Sequence, residues 1–226
     1  MRRAGHLFRR SLPIERPAGV LGGYKLAFPM LAADDQAVGF TGLSIGAGRV
    51  YGGVADAACI WGRRHEAPKR GCTCGFYCFH RLDSALDMAC DTRYRASLIL
   101  EVSVLGRFIR YEDGFRYARQ RVRRIRVGAC RCGRPAVVLA DDGTGLVGWR
   151  RLMPACDGCA GWARAVTFAD FAARVGPGVA VVEEAVHPAI GKDAPPFAVM
   201  VAEVALLQAR LDDVQAQLAR LSGQAE

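Results

Sequence analysis

Residues 97–127 read SLILEVSVLGRFIRYEDGFRYARQRVRRIRV. The first half is apolar and rich in β-branched residues, which is the composition of a long strand. Asp113-Gly114 follows, a turn dipeptide that favours a hairpin. The second half is ambiguous by composition, because arginine and alanine also favour helix. An Asp-Gly turn directly after a clear strand decides for a return strand. The stretch is therefore read as a long antiparallel hairpin, and a sheet as the frame of the chain.

Working upstream, YKLAF, VGFTGLSI and RVYGGVA alternate short apolar runs with glycine and predict short strands and turns. Residues 83–90 predict a short helix with Asp83 or Ser84 as its cap. Downstream, AVVLA and LVGWRRL predict two strands joined by a turn at DDGTG (141–145). TFADFAARV (167–175) predicts a helix capped by Thr167 and ended by Gly176. VAVVEEAV (179–186) has no clear periodicity. Pro188, Pro195 and Pro196 mark a linker.

The last segment is regular. Phe197, Met200, Val204, Leu207, Leu211, Val214, Leu218 and Leu221 recur at alternating spacings of three and four, the seam of a coiled coil. The expectation is a homodimer, or attachment to a partner protein's helix, through this C-terminal helix. The fold class read from the whole pattern is α+β: mostly short antiparallel strands, a zinc-ribbon-like module and a C-terminal coiled-coil helix. The divisions are a basic flexible arm at 1–18, a β-rich basic domain at 19–128, the ribbon-like module with a short helix at 129–190, and linker plus helix at 191–226.

The chain has 226 residues, 51% of them hydrophobic, enough for a buried core. No 18-residue uncharged apolar run occurs, so no membrane span is expected. The first 30 residues lack the apolar centre of a signal peptide, and the expected compartment is the cytoplasm. Nine cysteines in a reducing compartment favour metal over disulfides.

The formal charge is +9, and it is uneven. Residues 1–128 hold 22 Arg/Lys against 11 Asp/Glu, whereas residues 129–226 hold 9 against 11. Thiolates that bind zinc lower the effective charge further.

Cys130-x-Cys132 and Cys156-x-x-Cys159 flank the second predicted hairpin. Two cysteine knuckles brought together by a hairpin are the layout of a zinc ribbon. Four thiolates fill a tetrahedral Zn²⁺, so the site is structural and has no open position. The first knuckle departs from the usual pattern, being C-x-C rather than C-x-x-C.

A second C-x-C-Gly stands at Cys72–Gly75, within CTCGFYCFH (72–80). Its partners by residue type are Cys59, His65, Cys78, His80 and Cys90. Cys78 and His80 alternate with aromatic residues, as on a strand. Cys59 and His65 lie in a polar, turn-rich loop better suited to wrapping an ion.

The stretch ACIWGRRHEAPKRGCTCGFYCF (58–79) resembles a segment in a family of uncharacterised actinobacterial proteins. These read Ala-x-Cys, His-x-Ala-Pro, and Cys-x-Cys-Gly-[Ile/Leu/Val]-Tyr-Ala, followed by a Gly-Arg-Val-[Ile/Val]-Glu hairpin. GRFIRYEDGFRYAR (106–119) matches that hairpin, with Arg110 and Arg119 standing where the family carries acids. The resemblance covers about residues 45–130. It implies Cys59, His65, Cys72 and Cys74 as ligands of a second structural zinc, and no established activity.

The hairpin at 107–126 carries eight arginines. Seven of them, Arg107, Arg116, Arg119, Arg121, Arg123, Arg124 and Arg126, are candidate contacts to nucleic acid, since guanidinium groups fork onto phosphates. P-loop, dinucleotide, HExxH and GxSxG signatures are absent. The sequence therefore reads as a non-enzymatic, zinc-stabilised binding or adaptor protein. The alternatives are a thiolate-zinc redox sensor or, behind that, a zinc-dependent enzyme.

Overall fold

The structure is a computed structural model that describes residues 13–43, 49–59, 61, 62 and 64–183. The chain divides into a unit at 1–186 and a unit at 187–226. The second unit lies wholly outside the described residues, and so does the expected coiled-coil helix with Val204, Leu207, Leu211, Val214, Leu218 and Leu221.

Strands dominate. β1 (Leu21–Ala32), β2 (Val38–Thr41), β3 (Val54–Asp56) and β4 (Phe76–Phe79) precede α1 (Leu82–Ala89). The hairpin follows as β5 (Leu98–Arg110) and β6 (Gly114–Val127). Then come β7 (Val138–Leu146), β8 (Trp149–Ala155), α2 (Asp157–Ala160), β9 (Ala165–Thr167), α3 (Phe168–Val175) and β10 (Ala180–Glu183). The α+β expectation is thus corrected to a mainly antiparallel β fold. Among the described residues, α-helix is limited to segments of 8, 4 and 8 residues. The strands are also not mostly short: β1, β5 and β6 have 12, 13 and 14 residues. The physical reason is β6, whose backbone groups are satisfied along both edges. β5 pairs one edge throughout, while β4, β3 and β10 pair the other in turn. Only β10 runs parallel to it. A lone helix in the same residues would gain no such partners.

β1 ties the molecule together. Leu21–Ala27 pair with β5, and Met30–Ala32 pair with β8 of the second hairpin. Pro29 falls between those two stretches, where a missing amide donor is tolerated. Residues expected in separate segments therefore share one core: Leu98, Leu100, Val122 and Ile125 with Leu139, Leu152, Phe168 and Phe171. α1 covers a smaller cluster, Leu26, Ala85 and Ile99.

The Asp-Gly signal has two outcomes. At 113–114 it turns the β5–β6 hairpin, where the Tyr111 amide donates to the Gly114 carbonyl at 2.8 Å. At 142–143 the predicted turn is instead a bulge inside β7, and the hairpin tip is Val147-Gly148. Asp141 and Asp142 accept from the amides of Gly143 and Thr144, and they pair with Arg150 and Arg151 of β8. Those cross-strand ion pairs hold the ladder through the bulge.

Inside the core sits one lysine. Lys25 is 7% exposed. Its ammonium donates to Gln120 Oε1 at 3.3 Å and lies 4.5 Å and 4.7 Å from the ring centres of Phe76 and Tyr51. Burial drives its pKa down to about 7, partly opposed by the nearby Cys78 thiol. The unfolded chain binds this proton up to its ordinary value of 10.5, so stability should rise with pH between about 7 and 10.5. Chemical denaturation at pH 7 and pH 10 should show a gain in the wild type that exceeds the gain in Lys25→Met by about 2–4 kcal/mol. Equal gains in the two proteins would remove Lys25 as the cause.

Candidate metal centres

Cys59, His65, Cys72 and Cys74 converge, as do Cys130, Cys132, Cys156 and Cys159. Within each group all four ligand atoms lie within 4.8 Å of one another. The Sγ atoms of Cys59 and Cys72 are 3.8 Å apart, and those of Cys132 and Cys156 are 3.6 Å apart. A disulfide requires about 2.05 Å. A Zn–S bond of about 2.3 Å implies a tetrahedron edge of about 3.8 Å. The sulfurs are thus spaced for a shared cation.

The second group is built on the core. β6 ends at Val127 and β8 at Ala155, which delivers Cys130 and Cys156 as buried side chains in the main cluster. Cys156 opens the single turn of α2, and helical spacing returns Cys159 to the same side. The Cys130 knuckle closes through Gly133 N–H to the Cys130 carbonyl at 2.8 Å. Gly133 has φ 86°, a conformation that favours glycine. Cys132 and Cys159 are exposed. Burial pushes the Cys130 thiol up, but hydrogen bonds from the Cys132 and Cys156 amides pull it down to about 6. Cys159 is held up at about 12, first by its hydrogen bond to Cys132 and then by those to Cys130 and Cys156. The opposite shifts of Cys130 and Cys159 reflect sulfurs close enough to share hydrogen bonds. A cation bound among them would displace thiol protons.

The first group is built on a loop. Cys59 follows β3, and the chain returns through His65 to the Cys72–Gly75 knuckle just before β4. His65 Nδ1 is 3.8 Å from Cys74 Sγ, and His65 Nε2 is buried without a hydrogen-bond partner. The Cys74 amide, first among several donors, lowers the Cys72 thiol to about 6, whereas burial raises Cys74. Thr73, between the two cysteines, is braced on both sides. Trp61 Nε1 donates to its hydroxyl at 3.2 Å, and Tyr77 Oη donates to its carbonyl at 2.7 Å. Gly75 has φ 128°, and a Cβ there would come within 2.9 Å of Arg116 Cγ. The two C-x-C-Gly knuckles thus need their glycines for the same backbone reason.

Arg116 is the residue whose role the sequence misplaced. It is 5% exposed and points under the first knuckle, not into solvent. Its guanidinium donates to the carbonyls of Cys72, Cys74 (3.4 Å) and Lys69 (3.3 Å). It orients the loop that carries the candidate ligands Cys72 and Cys74. The cross-strand pairing of Arg116 with Tyr77 places it there, a long-range register that composition does not reveal.

Cys78 is buried in β4, pushed up to about 12 by burial, and packs on Gly23. His80 bonds the Tyr111 carbonyl at 3.0 Å and stacks edge-on against Phe115. Cys90 is exposed at the end of α1. None of the three joins either group.

The remaining arginines are unequal. Arg124 and Arg126 both pair with Glu101, Arg119 with Asp56, and Arg107 with Glu66. Among the described residues Arg123 donates only to Ser103 Oγ, at 3.2 Å. Arg121 has no ion pair among the described residues. Among the described residues no helix is long and apolar enough to cross a membrane. No protein-family model, curated protein or solved structure matches the chain.

Two outcomes follow for metal retention. Exposure of Cys132 and Cys159 should make the second group surrender metal to a chelator first, as followed by the sulfur-to-metal charge-transfer bands of the cobalt-substituted protein in Cys59→Ser and Cys159→Ser variants. Arg116→Ala should weaken the first group for metal by roughly 10–100-fold in chelator competition, as loss of ligand-orienting contacts does, and leave the second group's affinity unchanged.

Proposed function

We propose that this chain is a non-enzymatic binding protein, stapled by two structural zinc ions, that contacts nucleic acid through the arginine-bearing face of β5 and β6. One observation carries the structural part. Each group supplies four protein ligands to a single point, Cys₃His in one and Cys₄ in the other. Tetrahedral N/S sets of this kind are those zinc prefers. With four protein ligands the coordination shell is closed, so substrate and water have no position from which to react. A further fact supports a stabilising role. Between residues 57 and 75 the only fully buried described side chains are Ala67, Pro68 and Cys74. A loop with so little core of its own needs another source of order, and metal binding energy supplies it.

The nucleic-acid part rests on charge. The excess of arginine lies in residues 1–128, and Arg119, Arg121 and Arg123 alternate with the buried Gln120 and Val122 along β6. That alternation sends three guanidinium groups to one side of the sheet.

Elemental analysis of purified protein should return two zinc ions per chain. Cys59→Ser with Cys72→Ser should return one, and so should Cys130→Ser with Cys156→Ser. A wild-type protein that binds no zinc when folded would overturn the reading. Removing both metals should unfold the loop at 57–75 before the β5–β6 ladder, seen as early loss of amide-exchange protection there.

A further inference from the structure

Beside the first metal group the outer face of the sheet is concave. The concavity holds about 1020 Å³ and is lined by Arg16, Arg107, Arg121 and Arg123 and also by Asp56 and Glu66. Its floor is the β5–β6 ladder, where Ser103 pairs with Arg121. One wall is the segment at 16–21. A two-way backbone bridge between Glu15 and Phe108, at 2.8 and 2.9 Å, pins that segment to β5. The other wall is the metal loop at 56–67, where Glu66 follows the ligand His65 and pairs with Arg107 at 2.6 Å. A bulge in β6 sits at Arg123, between the pairs Val102–Val122 and Glu101–Arg124. Bulges re-aim side chains, and this one leaves Arg123 exposed beside Arg121.

We infer that this groove is a binding site for the sugar–phosphate backbone of a single-stranded nucleic acid. The inference rests on the nucleic-acid reading above and narrows it to one place and one kind of strand. Arg16 and Arg121 have no acidic partner among the described residues, and Arg123 has only a hydroxyl. Three cations with no ion-pair partner among the described residues, gathered in one concavity that holds only two acids, call for an anion with several charges. Arg121 and Arg123 are two residues apart on β6 and line the same recess, as contacts to neighbouring phosphates of one extended chain require. The cations line a recess between two walls, which also carry Asp56 and Glu66. A rigid duplex has to lie across the walls, whereas an extended strand enters between them. Among the described residues the lining carries no aromatic side chain, so these residues hold phosphates without reading bases.

The test is fluorescence anisotropy with the full chain and a fluorescein-labelled oligodeoxythymidylate of about 12 nucleotides. A duplex of the same length and inorganic tripolyphosphate serve as competitors. The single strand should bind more tightly than the duplex, and tripolyphosphate should compete only weakly. Each lost phosphate contact lowers the salt slope by about 0.7 for single strands. Arg121→Ala with Arg123→Ala should therefore lower it by about 1.4 and weaken binding by roughly tenfold or more. Asp56→Ala removes an acid from the lining and frees Arg119, and it should tighten binding, a gain that misfolding cannot produce. Zinc content confirms that each variant is folded. If the oligonucleotide binds but neither the double variant nor Asp56→Ala changes affinity or slope, the groove is wrong and the nucleic-acid reading stands. Duplex binding as tight as single-strand binding overturns the choice of strand. If no nucleic acid binds at all, the broader reading falls and the groove with it.

Discussion

Backbone hydrogen bonding along β6 places the strongest demand on this molecule. Fourteen consecutive residues must have their amides and carbonyls satisfied on two sides. β5 meets that need along one edge, and the other is shared by β4, β3 and β10. The strand is thereby central, and its side chains divide. Tyr117, Gln120, Val122, Ile125 and Val127 are buried. Arg119, Arg121 and Arg123 are exposed. Arg116 is the exception, drawn beneath the first knuckle because β4 and its metal loop lie across that end of the strand. The core, the loop anchor and the cationic face are three consequences of one strand's pairing.

The two metal groups do different jobs on that frame. The second sits where β6 and β8 end, with Cys130 and Cys156 already inside the core, so its ion would lock elements that pairing has largely positioned. The first closes a loop that has few buried side chains. There the ligands, the Arg116 guanidinium and the Trp61–Thr73–Tyr77 brace replace a hydrophobic interior. The same loop forms a wall of the arginine groove through Glu66 and Arg107. Order at the first metal group and the shape of the cationic surface are therefore linked through adjacent residues of one short segment.

Buried Lys25 shows how the interior tolerates a polar residue. Gln120 accepts from both Lys25 and the Tyr117 hydroxyl, and two aromatic faces flank the ammonium. A buried amine beside hydrogen-bond acceptors and ring faces costs less than one in hydrocarbon alone. The cost that remains appears as a depressed pKa.

Local chemistry was legible in the sequence. Closely spaced cysteines with glycine behind them mark knuckles, because a tight turn toward thiolates needs positive φ at Gly75 and Gly133. Thr167 caps α3 and accepts from the Asp170 amide because capping is settled within four residues. Asp113-Gly114 turns a hairpin for the same short-range reason. What depended on distant pairing was not legible. Asp142-Gly143 has the same turn chemistry, but salt bridges from β8 carry the ladder past it. The weight of strand was underestimated because local patterns cannot show that β1, β5 and β6 join into one extended ladder system. Arginine composition marked a basic hairpin, yet only tertiary structure sorted Arg116 into the interior, Arg124 and Arg126 onto Glu101, and Arg121 and Arg123 into a groove with Arg16. The sequence by itself determined which residues have metal-ligand and phosphate-binding chemistry. Tertiary structure decided which of them meet, because burial and charge pairing depend on neighbours brought close by strand register, and register is a long-range property of the chain.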